Sequence, residues 1–205
     1  IALESKDQTQ ITNAVTDVLK KCILTRNVKV DELPTFDIEY LFLNIRAKSI
    51  GEDIKMTVTC PDDKVTQVPV TIYVDEIEVI RPEDHTTDIV LDDKMTLRMR
   101  YPSLNQFIES NFDVKDKSET IVDKTFKVIA DCIDTVYTEE DAWEGKDYTS
   151  AERLKFIEQL NSKQYKEVEK FFSTMPKLSK TIEVINPNTQ EKSSIVLEGL
   201  ADFFG

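Results

Sequence analysis

Glycine is scarce in this chain: four residues, Gly51, Gly145, Gly199 and Gly205, with no two of them close together. A phosphate cradle needs closely spaced glycines so that consecutive backbone N–H groups face one anion, so P-loop and dinucleotide-binding readings are set aside. Cysteine occurs three times, a usage that fits a reducing compartment better than a disulfide framework. Cys22 and Cys132 each continue an apolar helical stripe and are expected as small core residues. Cys60 lies before Pro61, Asp62 and Asp63, where a zinc ribbon would place its knuckle. Position 63 is an aspartate, no second Cys or His pair follows, and tetrahedral Cys/His ligation has no donor set. No apolar run approaches the ~20 residues that span a bilayer. The opening at Ile1 lacks both the basic start and the apolar stretch of a secretory signal. With no initiator Met, the sequence is expected to miss a few residues at its beginning. Basic residues are also in deficit, 26 against 39 acids, for a net charge of −13 and a pI of about 4.6. Such a field repels phosphate backbones and argues against nucleic-acid binding, leaving a DNA mimic as the one reading of that kind. The acidity either keeps the free protein soluble or matches a basic partner surface.

What is present fits a globular protein. The 205 residues, 40% hydrophobic and 32% charged, can bury a core in one or two domains. The most telling stretch runs from Leu33 to Glu52, a helix opened by Pro34 and closed by Gly51. At 100° per residue, Phe36, Tyr40, Leu43 and Ala47 fall on one flank, and Ile38, Leu41, Phe42 and Ile45 on the opposite one. A helix lying on a globule needs one apolar stripe. This one has two, so it is expected either in a core or clamped between its own domain and a partner.

The string LPTFDIEYLFLNIRAKSIGE (residues 33–52) resembles a signature of baseplate hub proteins of T-even-type contractile-tailed phages, a family described as hub subunit or hub-assembly chaperone. FFSTMPKLSKTIEVINPNT (171–189) and VLEGLADFFG (196–205) also match that pattern, so the resemblance covers nearly the whole chain. The resemblance implies a non-enzymatic protein with no catalytic residue, and the residue patterns above give no metal or cofactor site. It implies other baseplate or hub proteins as partners, while the charge and the lack of long apolar runs argue against nucleic acid and membrane. The implied location is the host cytoplasm during tail assembly, with the virion baseplate as the other location. A generic acidic binding module or inhibitor is the alternative.

The patterning predicts an α+β fold: helices, an antiparallel β-meander and a C-terminal β-hairpin. The expected divisions are 1–51 (helical), 52–101 (meander), 102–178 (helical) and 179–205 (hairpin and short helix), in one compact unit or two lobes. A first helix is expected from Thr9 to about Thr25, with Asn27 as a left-handed stop. Alternation at Ile54, Met56 and Val58, and again at Val68, Val70, Ile72 and Val74, marks strands, with Pro69 at an edge. Ser103 should cap a helix bearing Leu104, Phe107, Ile108 and Phe112, and a second helix should run from Ser118 to Tyr137. Residues 138–147 read as an acidic loop. Thr149 or Ser150 and then Ser162 are expected to cap two further helices before Met175 and Pro176 stop the run. Asn186 to Thr189 should turn the final hairpin, whose first strand is read from Thr181.

Chemistry-bearing constellations are thin. His85, the single histidine, could act as a general base oriented by Asp84 or Asp88, but reads better as a solvated loop residue. The acid pairs Asp62/Asp63 and Asp92/Asp93 and the run Glu139, Glu140, Asp141 could bind a cation. They fit no calcium-loop frame and read as solvated charge, and a carboxylate-dependent hydrolase is the weaker rival. Trp143, set among carboxylates, either folds onto the core or anchors a partner. The C-terminal Phe203 and Phe204 pose the same choice. The candidate partner-binding residues are therefore Phe36, Tyr40, Leu43, Trp143, Phe203 and Phe204.

Overall fold

A computed structural model describes residues 8–103, 106 and 121–204, with backbone alone at 8–13, 121, 201 and 204. The class is α+β, as the patterning predicts. The chain divides into two compact units, one of residues 1–17, 25–35 and 81–175, the other of residues 18–24, 36–80 and 176–205. Helix α1 (Gln8–Cys22) has residues in both. Its stripe buries Val15 and Leu19, but Cys22 is exposed, because α1 ends there instead of continuing to Thr25. Asn27 takes the expected left-handed conformation, with φ of 68°.

The first unit is built on a four-stranded antiparallel sheet, β4 (Asp88–Val90), β5 (Thr96–Met99), β6 (Ile133–Tyr137) and β7 (Ala142–Glu144), in that spatial order. Helices α3 (Ile121–Asp131), α4 (Ser150–Glu158) and α5 (Ser162–Ser173) supply the rest of its core. Ile89, Leu97, Met99, Ile129, Ile157 and Phe171 are sealed there. Cys132 is buried with them, as expected, and burial pushes its thiol up to about 12. Ser103 and Gln106 exchange the two bonds of a capping box. The expected residues of that helix, Leu104, Phe107, Ile108 and Phe112, lie outside the described residues, as does the start read at Ser118.

Two expectations fail here for one reason. The helix read through to Tyr137 stops at Asp131, and the run Ile133 to Tyr137 becomes β6, paired with β5 on one side and β7 on the other. Every second residue of that run is β-branched or aromatic, and sheet pairing overrides a short helical reading. The stretch read as acidic loop contains β7, closed onto β6 by Thr138 N–H donating to the Asp141 carbonyl. The free carbonyls at the end of α3 are taken up by side chains. Asp131 O accepts from Arg100 Nε and Nη2 and from Gln106 Nε2, while Ala130 O accepts from Arg153 Nε. Cations at a helix C-terminus also complement its dipole.

Thr149 caps α4 with a full capping box to Glu152. Asn161 caps α5, one residue before the expected Ser162, because its carboxamide oxygen reaches the N–H groups of Lys163 and Gln164.

In the second unit, β1 (Asp53–Thr59) and β2 (Gln67–Tyr73) form a two-stranded ribbon. Strand β3 (Glu78–Ile80) joins the C-terminal hairpin of β8 (Lys177–Ile185) and β9 (Lys192–Glu198). The strands between 52 and 101 are antiparallel as read, but they distribute over three sheets and form no continuous meander. Strand β8 starts at Lys177, earlier than Thr181, and its first three residues are the ones that pair with β3. Helices α2 (Thr35–Ile50) and α6 (Gly199–Phe204) complete the unit. The core joins Leu43 and Ala47 of α2 with Ile54, Ile72, Leu178 and Phe203. Both flanks of α2 carry buried residues, Leu43 and Ala47 on one and Ile38 and Phe42 on the other.

Candidate functional site

The sheet of the first unit is covered unevenly, and that unevenness makes its site. Residues paired across antiparallel strands share a face. Ile89 pairs with Leu97, Leu97 with Val136, and Val136 with Trp143, so one row crosses all four strands. Ile89 and Leu97 are buried, Val136 is half-buried, and Trp143 on edge strand β7 is 39% exposed. Among the described residues, the row is buried at the β4 end and open at the β7 end. A pocket of about 380 Å³ remains there, walled by Met95, Ile133, Val136, Trp143, Tyr148 and Phe156, with Gly145, Glu152 and Arg153 completing it.

Three devices hold this pocket open. The turn Gly145–Asp147 lies so close to β6 that a Cβ on Gly145 would stand 2.4 Å from the Ile133 carbonyl oxygen, so a side chain cannot be placed there. Arg153 reaches from α4 to fasten that turn: Nη1 donates to Gly145 O at 2.9 Å and Tyr148 O at 2.6 Å, while Nη2 pairs with Asp131 Oδ1 at 2.6 Å. Asp92 accepts from the N–H groups of Lys94 and Met95, fixing the β4–β5 turn that delivers Met95. On the other face of the sheet, Arg98 grips Asp88 through two bonds at 2.6 and 3.0 Å and lies over the Tyr137 ring. That grip holds the Asp88 carboxyl below its usual range.

The candidate anchors separate into two groups. Phe36, Leu43 and Phe203 are buried, Phe203 in its own unit's core at 2% exposure. Tyr40 is 43% exposed on α2 and Trp143 stands at the pocket mouth. The Phe204 side chain lies outside the described residues. Glu39, next to Tyr40, accepts from the Leu200 N–H at the start of α6 and so ties the C-terminal helix to α2. Burial lifts the Glu39 carboxyl above its ordinary range, with the Leu200 bond opposing the lift.

The remaining polar residues are held in hydrogen-bonded networks. His85 is not a solvated loop residue: its Nδ1 lies 2.9 Å from Thr174 Oγ1 and its Nε2 2.9 Å from Tyr101 OH, and its ring packs on Tyr101 and Phe171. Thr174 already donates to Lys170 O, so it accepts from Nδ1–H. Burial first, then Arg81, lowers its pKa against the opposing pull of Asp84. Neither Asp84 nor Asp88 orients the ring. Asp84 pairs with Lys170.

Asp62 and Asp63 are not loose surface charge either. Asn186, only 1% exposed, donates through Nδ2 to both carboxylates at 2.9–3.1 Å, and Thr189 Oγ1 donates to Asp62. Asp63 takes the Thr66 hydroxyl first, and also the N–H groups of Val65 and Thr66. These bonds knot the β1–β2 turn to the β8–β9 turn and depress both carboxyl pKa values. Cys60 sits buried at the base of the knot, its N–H bonded to Thr66 O, and burial raises its thiol pKa. Among the described residues, no group of three or more His, Cys, Asp or Glu side chains is placed to hold a metal. Also among them, no helix is long and apolar enough to cross a membrane.

Sequence reading picked out Trp143 but missed Gly145, Tyr148, Arg153 and Phe156. A lone glycine inside an acidic, otherwise glycine-free stretch was the signal available, since it marks close backbone approach. No curated protein and no solved structure matches the chain. The family model described as T4 bacteriophage base plate protein matches residues 1–205, the whole length. The chain is therefore a member of the T4 bacteriophage base plate protein family.

Proposed function

We propose that this protein acts in assembly of the baseplate hub, as a hub subunit or as a hub-assembly chaperone, through contacts with other baseplate proteins and without catalysis. The family match along the whole chain is the observation that carries this reading. The Leu33–Glu52 signature supports the hub within the baseplate. A half-exposed tryptophan over an apolar pocket supports protein contact as the mode of action, since tryptophan is enriched among residues that dominate binding energy. The net charge of −13 suits a protein that also exists free before it is incorporated, in the host cytoplasm where tails assemble.

Quantitative detection in purified virions and in hub intermediates from infected cells tests the proposal. Fixed copies in virions make the protein a hub subunit. Presence in intermediates with absence from virions makes it a chaperone. Absence from both overturns a role in the hub.

A further inference from the structure

We propose that the pocket under Trp143 receives a large apolar side chain carried on a Lys- or Arg-flanked segment of a partner protein. Naming that partner as a baseplate protein rests on the function proposed above; the chemistry of the segment rests on the pocket itself.

The cavity of about 380 Å³ is at the small end of ligand pockets, room for one or two side chains and little more. Its walls are apolar and fixed in place by the Gly145 contact and the Arg153 tethers, so binding needs little reordering. What surrounds it selects the occupant. From Asp134 to Glu152, the stretch that carries most of the lining, the sequence holds seven carboxylates and one lysine. Glu139, Glu140, Asp141, Glu144 and Asp147 are all exposed. The lysine, Lys146, pairs with Glu144, and Arg153 is held by Asp131 and three carbonyls. Glu144 lies on the opposite face of the sheet from Trp143. Glu139, Glu140 and Asp141, however, form the turn that leads directly into β7 and Trp143, and Glu152 lines the pocket itself. Negative charge therefore stands beside the apolar hole, the complement of an apolar residue next to basic ones. A second copy of this chain fits poorly, because a two-fold contact would set one acidic rim against the other. A neutral apolar small molecule has no use for the carboxylates.

Trp143 is the single tryptophan of the chain and stands at the mouth, so its emission reports occupancy directly. The probes are three synthetic octapeptides: leucine between lysines, leucine between glutamates, and glycine between lysines. The lysine–leucine peptide is expected to shift Trp143 emission to the blue and to saturate, with affinity falling as salt rises. Glu140→Lys with Asp141→Lys, both exposed and clear of the core, should weaken it about tenfold, and Tyr148→Ala should weaken it at constant salt dependence. Equal binding of the glutamate peptide would make the carboxylates irrelevant and point to a neutral ligand. Equal binding of the glycine peptide would reduce the site to unspecific charge, and no shift with any peptide at millimolar concentration would leave the pocket without this role. Each of those three results overturns the proposal while leaving the hub reading, tested by copy number in particles, where it stood.

Discussion

Trp143 and Phe203 are two large aromatics on short peripheral elements, one on a three-residue edge strand and the other on a six-residue terminal helix. From sequence they pose the same question, and the fold treats them oppositely. Phe203 is drawn into a core of Leu43, Ala47, Ile54 and Leu178, and its helix is fastened through the Leu200 bond to Glu39 and the Glu198–Asp202 bond. Trp143 ends a row that is buried at Ile89 and Leu97 and half-buried at Val136, and it is itself 39% exposed. The lesson is that exposure of an aromatic is set by what its unit supplies to cover it, and here one unit supplies a full lid while the described residues of the other do not.

That contrast gives a graded set of substitutions. Phe203→Ala should be the most damaging, costing about 3–5 kcal/mol as a buried aromatic truncation, read as a large fall in the midpoint of denaturant unfolding. Gly145→Ala should cost about 1–3 kcal/mol, since a methyl group is forced into backbone of β6 with no flexible side chain to yield. Trp143→Ala should cost about 1 kcal/mol or less in the same assay, as a half-exposed edge residue, yet remove most binding to the partner. If Trp143→Ala proves as destabilising as Phe203→Ala, the two ends of the comparison collapse into one and the pocket is merely core.

The smallest effect concerns pH. His85 is held neutral, with its folded pKa below that of the unfolded chain, so the unfolded state binds more protons. Its contribution is complete above about pH 6.5, the unfolded value, and is lost as pH falls from there toward the folded pKa. Stability should therefore decline on acidification through this window, and His85→Gln should flatten the slope there. An unchanged slope in the variant would mean that the ring is not protected as its two hydrogen bonds indicate. Glu39 has the opposite sign. Its raised pKa favours the folded state below the ordinary glutamate range, and that gain is lost as pH rises through the folded value.

How much of this was legible depended on range. Local signals translated well: the Thr149 capping box, the Asn186–Thr189 turn, the left-handed Asn27 and the two-sided burial of α2 all follow from short stretches. Long-range pairing did not. Ile133 to Tyr137 looks like the end of a helix until β5 and β7 are known to flank it. Asp62 and Asp63 look like solvated charge because Asn186, their partner, lies more than a hundred residues away. His85 looks solvated for the same reason, with Thr174 89 residues away. The pocket combined both kinds: Trp143 could be singled out by its acidic neighbours, while Met95, Phe156 and Arg153 reach it only through sheet and helix packing.

The most direct test places a photo-crosslinking phenylalanine analogue at position 143 during infection, with the same analogue at Val90 as control. Val90 is exposed on β4, the opposite edge of the same sheet. The account predicts a specific crosslink to another baseplate protein from position 143 and none from position 90. No crosslink from 143, or equal crosslinking from both edges, would contradict the claim that this end of the sheet is left uncovered for a partner.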